Sequence, residues 1–445
     1  MASRRVWLRR IGLWGGGVTV ALMALAFAHL ADWASAAFLR LTTWQPLAAL
    51  VVVPAGLVLS VLLTRTVFPG AQGSGIPQVI ASLHISDPRL IDRVLSLRIA
   101  LGKILLTILG LLSGASIGRE GPTVQVGAAL MNRISTWLHL PARQAQHAFV
   151  LAGGAAGVAA AFNTPLAGIV FAIEELAHSF EARTSGTVLT AVIIGGIVTL
   201  ALAGNYTYFG VTPAMLPIGS AWLAVPVCGI TGGVLGGLFA RVLVATANGL
   251  PGRLRALTDR PLLYAGLLGL VLALLGIATG GATYGTGYAQ ARGLLEGHAG
   301  VPGVFFLAKL AATTLSYLSG IPGGIFAPSL AVGAGLGEVL AHLMPHAGVS
   351  AVLLLGMVAY FCGAVQAPIT AAVIVMEMTD NQTMFIPLMA TSFVALGASR
   401  LVCRRPLYGA LARNFLLGLH RAPETPAPEK PAPEKPAPEK PAPPP

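Results

Sequence analysis

A carboxylate and a guanidinium lie side by side in a glycine-rich stretch that is otherwise apolar. Residues 112–127 read LSGASIGREGPTVQVG, where Arg119 and Glu120 are the charged pair and Pro122 follows them. Proline suits the first turn of a helix, because its missing N–H would have no partner there. A helix that begins inside a membrane presents bare amides and about half a positive charge at its start, and both attract an anion. The pattern therefore predicts an anion site with the Glu120 carboxylate held at it.

The composition indicates a polytopic membrane protein. Of 445 residues, 55% are hydrophobic and 10% are charged, whereas soluble domains carry about 25% charged residues. The formal net charge is +12, and basic residues cluster at both chain ends, so the positive-inside rule predicts two cytoplasmic termini. Nucleic-acid binding is disfavoured because these charges flank apolar spans. The three cysteines and nine histidines have no metal or disulfide spacing, and we infer neither a metal nor a cofactor.

Apolar segments close to the length that crosses a bilayer, about 20 residues, recur from residue 11 to about 400. The predicted spans are 11–38, 46–68, 94–113, 187–203, 221–249, 261–278, 302–318, 329–343, 350–364, 369–379 and 384–400, while 144–162 is a small, glycine-rich stretch. The segments predicted between them are a polar loop at 84–93, a basic loop at 253–260 and a loop with a short helix at 280–300. A last short helix is predicted to start at 406.

The chain also aligns with itself, which predicts two repeats. Matches at offsets of 206 and 203 residues include Lys103 with Lys309, Gly118 with Gly324, Pro122 with Pro328, and Glu174 with Glu377. We therefore divide the chain into a basic arm (1–10), two repeats (11–203 and 204–415) and a disordered proline-rich tail (416–445). Duplicated halves with broken helices are typical of secondary transporters.

Two acids break the repeat. Glu120 aligns with Phe326, and Glu175 aligns with Met378, so each carboxylate exists in one half only. A structural acid would more readily persist in both halves, as the Glu174 and Glu377 pair does. Ionisable groups within membrane spans are usually functional, so we expect Glu120 and Glu175 to take part in transport.

Three short motifs resemble the anion-site signatures of the CLC family of chloride channels and chloride/proton antiporters. They are Gly-Ser-Gly-Ile-Pro at 73–77, Gly-Arg-Glu-Gly-Pro at 118–122 and Gly-Ile-Phe-Ala-Pro at 324–328. Asn-Thr-Pro-Leu-Ala-Gly at 163–168 and Pro-Leu-Tyr at 406–408 also match, in the family's order, and the similarity runs from about residue 40 to 415. The resemblance implies an all-α polytopic membrane protein with two inverted-topology repeats of tilted and broken helices, assembled as a homodimer with one pore per subunit.

The resemblance also implies roles for the anion-binding residues. The hydroxyl groups of Ser74 and Tyr408 would donate to a central anion, while Ile325 and Phe326 would offer backbone N–H groups. Gly118 and Gly324 belong to the same signatures, and a glycine permits close approach of the backbone. A helix cap is the other interpretation of Ser74 and is compatible with a ligand role. For Tyr408 the alternative is a tyrosine at the membrane interface.

For the acids, the resemblance implies a gating role for Glu120 and inner proton transfer for Glu175. The structural alternatives are a salt bridge between Glu120 and Arg119, and an acid at a helix end for Glu175, paired with an arginine. Lys103 is expected either to add positive potential near the site or to pack with Lys309.

These expectations combine into a secondary active transporter that exchanges chloride for protons, without a cofactor, in a prokaryotic inner membrane. A passive chloride channel of the same fold is one alternative, which the acid at Glu175 argues against. A fluoride exporter is another, although the family's fluoride branch departs from the Gly-Ser-Gly-Ile-Pro and Gly-Arg-Glu-Gly-Pro forms that this chain keeps. An intramembrane hydrolase is disfavoured because no Ser–His or metal pattern accompanies the two acids.

Overall fold

The computed structural model describes residues 4–139, 143–178, 182–204, 206–249, 258–298 and 303–421. Most of the basic loop predicted at 253–260 lies outside these ranges, as do residues 422–445 of the proline-rich tail predicted at 416–445. Residues 416–421 of that predicted tail instead form the end of a helix that begins at Leu407.

The described part of the chain is built from α-helices. In chain order they are α1 (Arg4–Trp44), α2 (Ala49–Thr66), α3 (Ile76–His84), α4 (Pro88–Val94), α5 (Leu97–Leu112), α6 (Glu120–Trp137), α7 (Arg143–Phe162), α8 (Pro165–Phe171), α9 (Ala182–Ala203), α10 (Ala224–Ala247), α11 (Pro261–Ala278), α12 (Tyr288–Leu295), α13 (Phe305–Leu318), α14 (Phe326–Ala341), α15 (Val349–Val365), α16 (Pro368–Met378), α17 (Phe385–Val402) and α18 (Leu407–Arg421). A π-helical turn over Ala172–Ala177 continues α8.

Within these ranges, eight helices are long and apolar enough to cross a membrane. They cover Val6–Trp44, Pro46–Thr66, Pro88–Leu112, Ala145–Phe162, Gly186–Ala203, Ser220–Ala247, Pro261–Ala278 and Gln382–Val402. Four shorter apolar helices, α13 to α16, occupy the stretches predicted as spans between 302 and 379. The loop with a short helix predicted at 280–300 is confirmed, because α12 lies within it.

The prediction of a loop over 84–93 is wrong, because α4 occupies Pro88–Val94. Asp87 is the N-cap of this helix, and its side chain accepts a hydrogen bond from the Arg89 amide at 2.9 Å. Pro88 stands in the first turn, where proline needs no N–H partner. The helix forms because capping and the burial of Ile91 and Val94 outweigh the polar composition that indicated a loop.

Three helices begin deep inside the protein rather than at a surface. The first residues of α3, α6 and α14 are Ile76, Glu120 and Phe326, and all three are fully buried. Broken backbone at such depth is tolerated only where it is enclosed by protein or lines a cavity. Small residues allow the close packing around these breaks: Gly127 of α6 lies directly against the Gly153 carbonyl of α7, with no room for a side chain.

The two halves hold each other through a pair of exchanged helix caps. The Glu174 carboxylate accepts hydrogen bonds from the amides of Ile369 (3.1 Å) and Thr370 (2.7 Å) at the start of α16. The Glu377 carboxylate does the same for Leu166 (3.1 Å) and Ala167 (2.6 Å) at the start of α8. Each acid thus occupies the positive N-terminus of the matching helix in the other half. The structural role predicted for this pair is supported.

Candidate anion site and proton-transfer residues

Two reciprocal hydrogen bonds join the loops that precede α6 and α14. The Gly118 amide donates to the Gly324 carbonyl and the Gly324 amide donates to the Gly118 carbonyl, both at 2.7 Å. The Gly323 amide also donates to the Gly73 carbonyl at 3.1 Å, which attaches the loop before α3 to the same point. The three motifs singled out in the sequence therefore meet, and the starts of three helices converge on one buried region.

Glu120 is the first residue of α6, and its side chain turns back into this region. The carboxylate lies against Gly118, where a methyl group would collide with it. Neither carboxylate oxygen has a hydrogen-bond partner of standard geometry in the described part of the chain. The donors that act on it are the amides of Glu120 itself and of Ala327. A fully buried acid thus lies beside the amides of two helix starts, where an anion would be stable.

Ser74 and Tyr408 supply two hydroxyl groups beside the Glu120 helix. Ser74 precedes α3, is 1% exposed, and places its hydroxyl against Gly121. Tyr408 lies near the start of α18 and is fully buried, with its hydroxyl close enough to interact with that of Ser74. Neither oxygen forms a hydrogen bond of standard geometry with the described residues. Buried hydroxyl groups are normally paired, so two hydroxyl groups without standard hydrogen bonds make this place a candidate for a bound ligand.

Ile325 and Phe326 begin α14, and both are buried. The Phe326 ring contacts a set of aromatic rings at centroid distances of 6.2 Å to Phe162, 5.9 Å to Phe171, 4.8 Å to Phe361 and 6.1 Å to Tyr408. This packing fixes the start of α14 opposite that of α6. Their backbone is therefore the part that can serve an anion, while the Phe326 ring builds an apolar wall.

Lys103 anchors the loop that carries Ser74. Its ammonium group is fully buried and donates to the carbonyls of Gln72 (3.1 Å) and Gly73 (2.9 Å). Lys309 binds different carbonyls, those of Thr283 (2.9 Å) and Gly285 (2.7 Å). Each lysine thus fastens a loop of its own half, and Lys103 places an amino group one residue from Ser74.

Arg119 points away from its neighbour Glu120. Its guanidinium donates to the Ala28 carbonyl and the Asp32 carboxylate of α1, both at 2.6 Å. Its cation also lies 6.0 Å from the centre of the Tyr208 ring. The ion pair in which Arg119 takes part among the described residues is the one with Asp32, so the alternative of a Glu120–Arg119 salt bridge is not observed there.

Glu175 lies on the π-helical turn that follows α8 and is 2% exposed. Single π-turns are rare and occur frequently at functional sites. One of its oxygens, Oε1, has no hydrogen-bond partner in the described part of the chain, and none of the ion pairs found there includes Glu175. The neighbouring Glu174 caps a helix, so two adjacent acids have different surroundings.

Gln125 belongs to the same region, although no motif in the sequence indicates a role for it. It is fully buried, and neither atom of its side-chain amide has a partner among the described residues. A methyl group on Gly75 would come within 2.9 Å of its Oε1 atom. Its position five residues after Glu120 was visible in the sequence, but only the convergence of α3 and α6 makes it part of the site.

The fold and the site define a polytopic α-helical membrane protein whose broken helices meet at a buried polar centre. Residues 55–400 match the sequence profile of the voltage gated chloride channel family. The H(+)/Cl(-) exchange transporter ClcA of Yersinia pseudotuberculosis serotype IB (strain PB1/+) is 33% identical over 432 residues, which cover 92% of this chain and 88% of the relative. The ClcA of Yersinia pestis bv. Antiqua (strain Angola) matches to the same extent. This chain therefore belongs to the voltage-gated chloride channel family, the CLC family.

Solved structures of the family share the fold. A slow cyanobacterial Cl⁻/H⁺ antiporter superposes with a TM-score of 0.79 at 23% identity, covering 95% of this chain and 100% of that chain. A CLC-type fluoride/proton antiporter superposes with a TM-score of 0.77 at 24% identity, covering 92% and 99%. A eukaryotic CLC transporter gives 0.76 at 22% identity, covering 93% and 75%. The predicted family and fold class are confirmed.

Proposed function

We propose that this protein is a secondary active transporter that exchanges chloride for protons, with Glu120 as the gate and Glu175 as the inner proton-transfer group. The observation that carries the proposal is the Glu120 carboxylate, which is fully buried and has no standard hydrogen bond, at the joined starts of α6 and α14. The names of the Yersinia relatives, H(+)/Cl(-) exchange transporters, support the same reaction.

Competition at one site explains how the two movements are coupled. An ionised Glu120 and a chloride ion are both monovalent anions, so the same helix-start amides favour either of them. Protonation makes the side chain neutral, which removes this attraction and lets chloride replace it. Ser74 and Tyr408 then donate to the chloride, and a site of hydroxyl groups and amides with few full charges binds loosely enough to release it.

Glu175 provides the other end of the proton route. Phe171, four residues earlier, packs edge to face against Phe326, with ring centres 5.9 Å apart. The acid is thus coupled through packing to the start of α14 but is not itself at the joined loops of Gly118 and Gly324. We propose that protons leave Glu120 for Glu175 by a path separate from the chloride path.

The wider architecture follows from the same proposal. We propose repeats over 11–203 and 204–415, a homodimer with one pathway in each subunit, and an inner-membrane location with both termini in the cytoplasm. The exchanged caps of Glu174 and Glu377 support the division into halves. The basic residues at both ends of the chain support the orientation.

The decisive test compares proton and chloride movement in vesicles that contain the purified protein. A chloride gradient should drive proton uptake by the parent protein. Glu175→Gln should abolish proton movement while chloride movement continues, since Glu175 is not a chloride ligand. Glu174→Gln is the matched control, because the neighbouring acid caps a helix, and it should keep exchange.

Three results would contradict parts of this proposal. A Glu175→Gln protein that still couples the two ions would remove Glu175 from the proton route. A parent protein whose reversal potential follows chloride alone in a proton gradient would be a passive channel. Fluoride movement that greatly exceeds chloride movement would make it a fluoride exporter.

A further inference from the structure

A cavity with a largely apolar lining and a few polar groups lies beside Arg119. Its volume is about 660 Å³, and it is lined by side chains of α1 and α9 together with Arg119, Tyr208 and residues 284–290. We call it the α1–α12 cavity. From Arg10 to Asp32, α1 rises about 33 Å, close to the thickness of a hydrocarbon core. Asp32 is 68% exposed at its side chain, so the cavity lies near the membrane surface opposite the basic arm.

The backbone at this cavity repeats the backbone of the Ser74 loop. Gly285-Thr286-Gly287 precedes α12 as Gly73-Ser74-Gly75 precedes α3. The φ angles of the glycines are 64° and 79° in the first case and 68° and 101° in the second. Such positive angles are readily adopted by glycine. Lys309 and Lys103 occupy equivalent positions in the two halves. Each donates hydrogen bonds from its Nζ atom to backbone carbonyl groups of its loop.

The start of α12 consequently offers free donors to the cavity. Its hydrogen-bond ladder begins where the Ala291 amide donates to the Gly287 carbonyl at 3.1 Å. The Tyr288 amide donates to the Thr286 hydroxyl at 3.3 Å, which leaves the hydroxyl hydrogen of Thr286 free to donate in turn. The amides of Ala289 and Gln290 precede the ladder, and both residues line the cavity.

Arg119 is an independent indication of an anionic ligand. It lines the same cavity, although it is only 5% exposed. Its Nε–H has no hydrogen-bond partner among the described residues, and a buried unpaired donor on a cation is costly. An anion in the cavity would satisfy both this donor and the positive end of α12.

We propose that the α1–α12 cavity binds a monovalent halide-type anion at the start of α12, with Arg119, Thr286 and the first amides of the helix as its donors. The inference deepens the proposed function, on which it rests, because it adds a second anion position that is bounded by Arg119, the neighbour of Glu120 in the chain. Unlike the Ser74 site, this site includes an acid, Asp32. Its carboxylate accepts a hydrogen bond from the Arg119 guanidinium at 2.6 Å. Asp32 weakens binding by neutralising that charge.

The experiment measures anion occupancy directly. Crystals of the full-length protein are soaked in increasing bromide, and the anomalous peaks are followed at the Ser74 site and in the cavity. We expect a peak within hydrogen-bond distance of the Thr286 hydroxyl or the Ala289 amide. Asp32→Asn should shift the half-occupancy concentration of this peak down by about two- to fivefold, the range for an exposed charge pair. Asp380→Asn, which changes another exposed aspartate, should leave it unchanged.

The outcomes separate this inference from the proposed function. Bromide at the Ser74 site with an empty α1–α12 cavity overturns this inference and leaves the proposed function intact. If the bromide concentration that half-occupies the cavity is the same in the parent protein and in Asp32→Asn, the assignment of Arg119 as a donor to the anion is overturned. Bromide at neither place overturns this inference together with the anion site of the proposed function. Thr286→Val, which removes the hydroxyl donor, should weaken the cavity peak and leave the Ser74 peak unchanged.

Discussion

Replacing Glu377 with alanine should destabilise the protein without disturbing ion exchange. The carboxylate accepts two amide hydrogen bonds at the start of α8, one part-buried at 2.6 Å from Ala167 and one exposed at 3.1 Å from Leu166. A hydrogen bond to a charged group contributes about 1.5–3 kcal/mol, and the exposed one contributes at the low end. Adding the interaction with the helix dipole, about 0.3–1 kcal/mol, we expect a loss of about 3–5 kcal/mol in the free energy of unfolding.

Because each half supplies a helix cap to the other, further variants test the expected loss in the free energy of unfolding. Glu174 makes the same two bonds to α16, at 3.1 and 2.7 Å, so Glu174→Ala should lose a similar amount. Glu377→Gln keeps one accepting oxygen but no charge, and should lose about half as much. Glu296→Ala is the matched control. Its acid pairs with Arg292 on the surface at 2.7 Å, and such exposed pairs contribute about 0–1 kcal/mol.

The assay is denaturant-induced unfolding of the purified proteins in one detergent, read by circular dichroism, beside proton-coupled chloride uptake in vesicles. The reasoning is refuted if Glu377→Ala unfolds within about 0.5 kcal/mol of the parent protein, since the caps would then contribute no more than an ordinary surface substitution. Loss of coupling in a fully folded Glu174→Ala protein would also refute it, because the acid would then have a role in transport.

Three further predictions concern transport. Glu120→Gln imitates the protonated gate, so chloride flux should persist while proton flux stops; proton pumping by the purified variant in vesicles would contradict the gating role. Ser74→Pro removes one hydroxyl donor, which penalises chloride more than the larger and less strongly hydrated nitrate, so nitrate preference should rise in a competition flux assay; an unchanged ranking would speak against Ser74 as a ligand. Deleting 422–445, which has no apolar content to pack, should leave flux per folded protein unchanged, and a large loss would assign the tail a function.

Much of the site could be predicted from the sequence, because short glycine and proline motifs encode local backbone geometry. A glycine before a helix start and a proline in its first turn indicate bare amides wherever the helix ends up. The prediction that Ser74, Glu120 and Phe326 serve one place came from the resemblance of their motifs to the CLC anion-site signatures. The reciprocal bonds between Gly118 and Gly324 are the tertiary contact that unites them.

Other features depend on packing and were not predictable in this way. The acids Glu174 and Glu377 were recognised as a structural pair, but their exchange between halves is decided by how α8 and α16 lie against each other. The counterpart of the Ser74 loop, at Gly285–Gly287, follows an offset of 212 residues rather than 206. Because the spacing differs by six residues, this match does not appear when the chain is aligned with itself at an offset of 206. The φ angles of the glycines in the two loops show it.

The two halves differ at positions 120 and 326, where acidic side chains in both halves would interfere with each other. The loops before α6 and α14 are joined by the Gly118 and Gly324 bonds, so side chains at positions 120 and 326 start from equivalent places around one centre. Two carboxylates there would repel each other, and at most one could ionise at a time. In the proposed mechanism a single acid at Glu120 leaves and returns to the amides of both helices, while Phe326 fixes the opposite helix start through its aromatic contacts. The helix caps of Glu174 and Glu377 and the buried lysines Lys103 and Lys309 occur in both halves, whereas the proposed gate, Glu120, occurs in one. A duplicated scaffold is therefore compatible with the single-proton switch that we propose.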